Sequence, residues 1–369
     1  MRFLDDTTTR HGQPARSAVL LVNLGTPAAP TAAAVRPYLA QFLGDPRVVE
    51  IPKAIWNLIL YGVILPVRAR KSAAKYASIW TPDGSPLRIH TERQATLLRG
   101  WLGERGLDVE VAWAMRYGEP SIEKTLLDLR ARGVERLLVL PLYPQYSAST
   151  TATAVDEVCR LQQRLRNQFE LRFIKHYHDH PAYIEALAAR LRTHFEQSGM
   201  PDKLVMSFHG VPKRTLLKGD PYHCECLKTA RLVAERLGLA KERWLVTFQS
   251  RFGKAEWLQP YTAPTLEKLA REGVQRVDLF CPGFTSDCLE TLEEIALEGR
   301  QTFLGAGGRE FNYIDCLNDR PEWIDALAAI VEDHGAGWLP RLTDRPQRER
   351  AAGLTRELAR AAGAERLAD

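Results

Sequence analysis

Four residues in the second half of the chain are of types that handle protons and divalent metals: His209, Asp287, Glu290 and Glu294. His209 closes an apolar run that begins at Leu204, and Gly210 follows it. It is therefore expected to end a strand, with its ring at the carboxyl edge of a sheet. Imidazole titrates near neutral pH and is a common metal ligand, although a lone histidine there also reads as a hydrogen-bonded strand end. Asp287, Glu290 and Glu294 stand at i, i+3 and i+7, which predicts one face of a helix. Like charges in that pattern ordinarily mark a solvated face, and Asp287 alone could be an N-cap. Here the helix would be entered from a strand end, so its first turn faces the edge that carries His209. A line of carboxylates leading from a cleft can conduct cations inward or protons outward. Imidazole with carboxylate suits a divalent transition metal. Neither feature names a reaction.

The aromatic residues add a substrate class. Tyr117, Tyr143, Tyr146, Trp257 and Phe284 follow predicted strands or lie in the loops after them. Arg36, Arg68, Arg70 and Arg116 are cations able to pair with carboxylates. Aromatic walls with a few arginines suit a flat apolar ring bearing acidic groups; the alternative is that Tyr143 and Phe284 plug the ends of their sheets.

These residues need a scaffold, and the chain repeats one. Ala18–Asn23 is an apolar run that breaks at Gly25-Thr26-Pro27, and Leu204–Phe208 breaks at Gly210-Val211-Pro212. Met115-Arg116-Tyr117-Gly118 is echoed by Ser250-Arg251-Phe252-Gly253, and Leu129–Leu140 by Leu269–Phe280. The matching pieces come in the same order. Each half alternates Val- and Leu-rich strands with helices, as expected of parallel strands covered on both faces. The predicted class is α/β: two Rossmann-like, doubly wound domains with parallel sheets, facing each other across a cleft. The first is expected over residues 17–180 and the second over 181–338, with a charged tail at 339–369. Ligands of such sheets bind outside the carboxyl ends of the strands.

Composition narrows the partners. With 50 Lys plus Arg against 45 Asp plus Glu in 369 residues, the net charge of +5 carries no concentrated basic stripe, so no nucleic-acid partner is expected. The six cysteines do not form a dense disulfide framework, and residues 1–16 read as a polar arm without an apolar signal core. The expectation is a cytoplasmic protein with reduced thiols. Ala54–Val67 is apolar but too short to span a bilayer, and Arg68, Arg70 and Lys71 follow it. It reads either as a buried helix or as a surface that dips into an anionic membrane, the second giving a peripheral location at the inner face. His223-Cys224-Glu225-Cys226 offers zinc-type ligands, but no second pair follows at finger spacing, so a structural loop is expected.

Six motifs then carry a resemblance: Asn23–Pro27, Gly84–Pro86, Tyr143–Ser147, Ser207–Gly210, Gly219–Tyr222 and Phe284–Glu294. Together, in this order, they resemble ferrochelatase over about residues 17–335. The resemblance implies insertion of ferrous iron into protoporphyrin IX, with release of two protons, as the terminal step of haem synthesis. It implies that His209 is the active-site histidine and that Glu290 faces it across the porphyrin. Asp287 and Glu294 would be further acids of the metal and proton path. Arg116 and Tyr117 would form the opposite wall, and Tyr143, Trp257 and Phe284 the pocket aromatics.

The sequence departs from animal members at two places. Position 148 is alanine and no cysteine follows Cys316, so no 2Fe–2S cluster is expected and no cofactor beyond the iron substrate. Cys288 stands where relatives often carry histidine. Coproporphyrin is the alternative substrate; the apolar segment Ala54–Val67 favours protoporphyrin. Among rivals, a sirohydrochlorin chelatase lacks the full motif set and a haem carrier has no need of the acid line. A nucleotide-binding protein would carry a Gly-x-Gly-x-x-Gly after the first strand. The residues leave oligomeric state open.

Overall fold

Runs of Val, Leu and Ala in the computed structural model, which describes residues 3, 4, 10–253 and 255–368, form eight strands. They are β1 (Arg16–Gly25), β2 (Glu110–Tyr117), β3 (Val134–Pro141), β4 (Glu170–Phe173), β5 (Lys203–His209), β6 (Trp244–Gln249), β7 (Arg276–Phe280) and β8 (Glu310–Ile314). They build two four-stranded sheets of order β2-β1-β3-β4 and β6-β5-β7-β8, with every pairing parallel. The repeat read in the sequence is thus a repeat of topology. In each sheet the chain starts in the middle, steps to one side and returns across to the other. That order creates a switch point between β1 and β3, and another between β5 and β7, where loops diverge and leave a crevice.

The central strands are buried along their length, from Ala18 to Val22 in β1 and from Leu204 to Phe208 in β5. One core runs through both halves: Leu21, Leu138 and Leu140 from the first sheet join Leu204, Met206 and Phe208 from the second, together with Trp323. Helices Pro86–Glu104, Pro181–Ser198 and Pro321–Gly335 fill the space between. Two further clusters cover the outer faces of the sheets.

Several expectations are corrected. The arm at residues 1–16 lies partly outside the described residues; from Arg10 it is not loose, because His11 pairs with the stretch around Leu367. The charged tail, open in the sequence between an exposed helix and a frayed end, is a helix: Arg345–Ala361 is anchored to Asp108 by Arg345 and Arg348. The His223–Cys226 run is no loop but the first turn of helix Tyr222–Arg236, with Cys226 buried and Cys224 exposed. Ala54–Val67 is not a buried helix. It spans helix Lys53–Ile59, a π-helical turn Leu60–Ile64 and the start of helix Leu65–Ile79. Trp56, Leu60 and Leu65 anchor it, while Ile55, Leu58, Tyr61, Val63 and Val67 are exposed, Leu58 at 78%. Among the described residues no helix is long and apolar enough to cross a membrane.

Candidate active site

His209 is the last residue of β5 and lies beside Gln249, the last residue of β6. The close approach is possible because residue 210 is glycine: a Cβ there would lie 2.7 Å from the Gln249 carbonyl, which accepts the Gly210 N–H at 2.7 Å. The ring of His209 stands 2.6 Å from the Gly210 carbonyl through Nδ1. A carbonyl only accepts, so Nδ1 carries the proton and the neutral ring keeps its lone pair on Nε2. The rings of Trp257 and Phe284 flank it, with centroids 6.4 and 6.5 Å away.

Gln249 also fixes the acids. Its Nε2 donates to the Glu290 carbonyl at 2.7 Å, and its Oε1 accepts from Ser207 at 2.7 Å. The backbone of Glu290 is therefore tied to β6 and, through Ser207, to β5, which carries His209. Glu294 accepts from the Ser250 N–H at 2.6 Å and from its hydroxyl at 2.5 Å. Ser250 holds a φ of 65°, the left-handed region that a non-glycine residue enters at a cost. Burial pushes the Glu294 carboxyl above its ordinary range; the Ser250 hydroxyl pulls it back, as does His209 once it has taken a proton, and the neighbouring Glu290 adds to the rise.

The predicted single helical face is corrected. The helix begins at Leu289 with Cys288 as its N-cap, so Asp287 precedes it. After Thr291 it continues as a π-helix, Leu292–Gly299. Bonding from i to i+5 widens the turn and keeps Glu290 and Glu294 within one turn of each other. Both oxygens of Asp287 are occupied: Thr291 and Tyr313 donate to Oδ1 at 2.9 and 2.5 Å, and Asn318 to Oδ2 at 2.6 Å. Asp287 is buried behind the line rather than on it.

The opposite wall comes from the first half. Arg116 does not reach out: it donates to Asp45 at 2.6 Å and to the Thr153 hydroxyl at 2.7 Å. The Tyr117 hydroxyl also donates to Asp45, at 2.9 Å. Burial alone would raise the Asp45 carboxyl; the Thr153 and Arg47 hydrogen bonds and the Arg116 charge prevail and hold it below the usual range. The hydroxyl of Tyr143 and the Nε1 of Trp257 are buried with no protein hydrogen-bond partner. Tyr38 and Tyr76 are buried close enough to Glu290 for its charge to raise their phenols, behind the larger effect of burial.

The structure thus gathers His209, Glu290, Glu294, Trp257 and Phe284, and places Tyr117 and Tyr143 on the facing half. Sequence reading missed Asp45, Gln249 and Ser250. Asp45 had a signal: Gly44-Asp45-Pro46 repeats Gly219-Asp220-Pro221. Asp220 likewise organises a loop, accepting from Ser147 and from the Ala148 N–H at 3.1 and 2.8 Å.

Comparison with known proteins agrees with this geometry. The family model described as Ferrochelatase matches residues 16–335. A protein named Ferrochelatase from Janthinobacterium sp. (strain Marseille) is 61% identical over 99% of this chain and 100% of its own length. Another, from Azoarcus sp. (strain BH72), is 62% identical over 97% of this chain and 98% of its own. Among solved structures, SirB from Bacillus subtilis with Fe3+ has a TM-score of 0.52 at 14% identity, covering 87% of this chain and 96% of its own, a likeness of fold alone.

Proposed function

The chain belongs to the ferrochelatase family, and from that footing we propose that it inserts ferrous iron into protoporphyrin IX with His209 as the first proton acceptor. Two pyrrole N–H protons leave the macrocycle as two Fe–N bonds replace the N–H bonds. The Nε2 lone pair of His209 takes one proton. Glu290 and Glu294 take the other and exchange for the waters that the iron sheds; Asp287 holds the start of their helix in place. Trp257 and Phe284 pack one face of the ring and Tyr143 the other, while Arg116 and the buried Tyr117 shape that wall through Asp45. The observation that carries the reading is the tautomer: Nδ1 is committed to the Gly210 carbonyl, and the ring has Trp257 and Phe284 as aromatic neighbours with Glu294 in electrostatic reach.

The choice of protoporphyrin rests on the exposed apolar segment Ala54–Val67. We infer that this lip rests in the headgroup region of the inner membrane face, since exposed apolar patches of this kind mark contact surfaces. An apolar porphyrin is met there, whereas a coproporphyrin with more carboxylates needs no such lip. Six scattered cysteines, none beyond Cys316, support a reaction without an iron–sulfur cluster; iron analysis of purified protein tests that point. For the reaction, anaerobic insertion of ferrous iron is measured with protoporphyrin IX and with coproporphyrin. His209→Ala and Glu290→Gln are expected to lower turnover by at least about a hundredfold, the scale of general acid–base catalysis. Full turnover in His209→Ala would remove it as the base, and a higher kcat/KM for coproporphyrin would overturn the substrate.

A further inference from the structure

Away from His209, three metal-type side chains meet where the two halves join. His176 and His178 follow β4, and Glu225 lies in the first turn of helix Tyr222–Arg236. One ligand atom from each lies within 4.8 Å of the other two. His176 Nδ1 is 2.6 Å from Glu225 Oε1, and His178 Nδ1 is 3.4 Å from Oε2. Bonds of about 2.0–2.2 Å to zinc would set tetrahedral ligand atoms about 3.4 Å apart, so the existing spacing needs only a small adjustment.

A second observation points inward. The side chain of His178 is 6% exposed, and its Nδ1 is buried without a hydrogen-bond partner. A buried ring nitrogen left unpaired is uncommon. On the far side of the ring, Nε2 stands 3.8 Å from Asp179, which Lys228 in turn holds. Glu225 is likewise pre-set: it is 8% exposed, and its Oε2 accepts the Tyr146 N–H at 2.7 Å. That hydrogen bond links it to the Tyr143–Ser147 loop of the first half.

We propose that His176, His178 and Glu225 form an accessory site for a late first-row divalent cation, with two imidazoles and one carboxylate, that clamps the two halves together. Ligands of this kind suit zinc, cobalt and ferrous iron and leave at least one position to water. The proton of His176 moves to its Nε2 as Nδ1 takes the metal. The site shares no residue with the His209 centre.

Full-length, porphyrin-free protein is titrated calorimetrically with zinc sulfate, beside His209→Ala, Glu225→Gln and His178→Asn. Glu225→Gln keeps an acceptor for the Tyr146 N–H and so tests the ligand without removing that bond. Relative to wild type, Glu225→Gln and His178→Asn are expected to lose one zinc equivalent while keeping iron-insertion activity, and His209→Ala retains that equivalent. Zinc should also raise the thermal midpoint of His209→Ala but not of a Glu225→Gln variant carrying the same His209→Ala change, since only a site formed in the folded state stabilises it. Equal zinc stoichiometry in wild type, Glu225→Gln and His178→Asn overturns the proposal, as does loss of that equivalent in His209→Ala. Should His178→Asn not fold, Glu225→Gln decides alone. Loss of iron insertion by wild type would strike the proposed function and leave this site standing.

Discussion

Two requirements meet on the carboxylate of Glu294. To exchange protons with the macrocycle it must lie near His209, and to lie there it must be buried, which disfavours its charge. Its raised pKa means that the folded protein holds the proton to higher pH than the unfolded chain does. Stability therefore falls as pH rises from the ordinary glutamate range through the raised value, and above that window the ionised group carries its full cost. Glu294→Gln should consequently melt at or above the wild-type temperature at pH 8 while turning over more slowly, with the difference in melting shrinking at pH 5. A variant that melts lower at pH 8 would contradict this account. Asp45 has the opposite sign: its stabilisation is present above the unfolded value and lost as pH falls through the lowered one. Arg116 and Asp45 have side chains only 11% and 5% exposed, so removing one partner strands a buried charge. Arg116→Ala should cost about 3 kcal/mol in denaturant unfolding, and Asp45→Asn should add little to it in the double variant. His209 was legible from the sequence because its surroundings are local: an apolar run before it and a glycine after it. The partners of Asp287 and Arg116 were not, since Tyr313, Asn318 and Asp45 approach only after folding.

At the level of elements, the helix that begins at Leu289 shows where pattern reading stops. Strands announce themselves by continuous burial, and helices by where their apolar residues fall. A π-helical stretch changes only which carbonyl each N–H reaches, so nothing in Leu292–Gly299 signals it beforehand. The segment Ala54–Val67 was ambiguous for another reason: both of its faces are apolar, and only the neighbouring helices decide which is covered. Trp56 fixes the choice by donating its Nε1–H to the Leu43 carbonyl at 2.6 Å, which turns Leu58 and Val63 outward. Burying a Leu or Val side chain is worth about 1.5–3 kcal/mol. Leu58→Asp with Val63→Asp should therefore weaken binding to vesicles containing anionic lipid by about a hundredfold or more. Melting should change little, because both side chains are exposed, Leu58 at 78% and Val63 at 58%. Unaltered vesicle binding would return the lip to the status of an incidental surface.

Across the whole molecule, duplicated topology argues for two domains while the packing argues for one cooperative unit. The expected boundary near residues 180 and 181 rests on the repeat, and strand order bears out that repeat. Yet the segment that completes the first half comes from the far end of the chain. Helix Pro321–Gly335 packs against helix Pro86–Glu104: Arg105 reaches Glu332 at 2.6 Å, and Trp101 donates to Asp325 at 3.3 Å. Beyond it Trp338 donates to Glu170 on β4 at 2.5 Å, and Arg172 to the His334 carbonyl at 3.0 Å. Tyr177, Tyr183 and Trp323 form one aromatic knot whose members come from both sides of the boundary. Sequence repeats reveal what each half does alone, and carry no trace of contacts between unlike copies. A chain cut after residue 180 would expose the inner face of β1 and β3, Leu21, Leu138 and Leu140 among it, with nothing to cover it. That apolar area exceeds what a half-sized chain can leave in water and remain folded. Residues 17–180 expressed alone should therefore aggregate or lack near-ultraviolet circular dichroism. The intact chain should unfold in one transition, with fluorescence and circular dichroism coincident. Two separated transitions, or a fragment with a cooperative melt, would make each half a folding unit, and the cleft between them a hinge between independent bodies rather than a crevice in one.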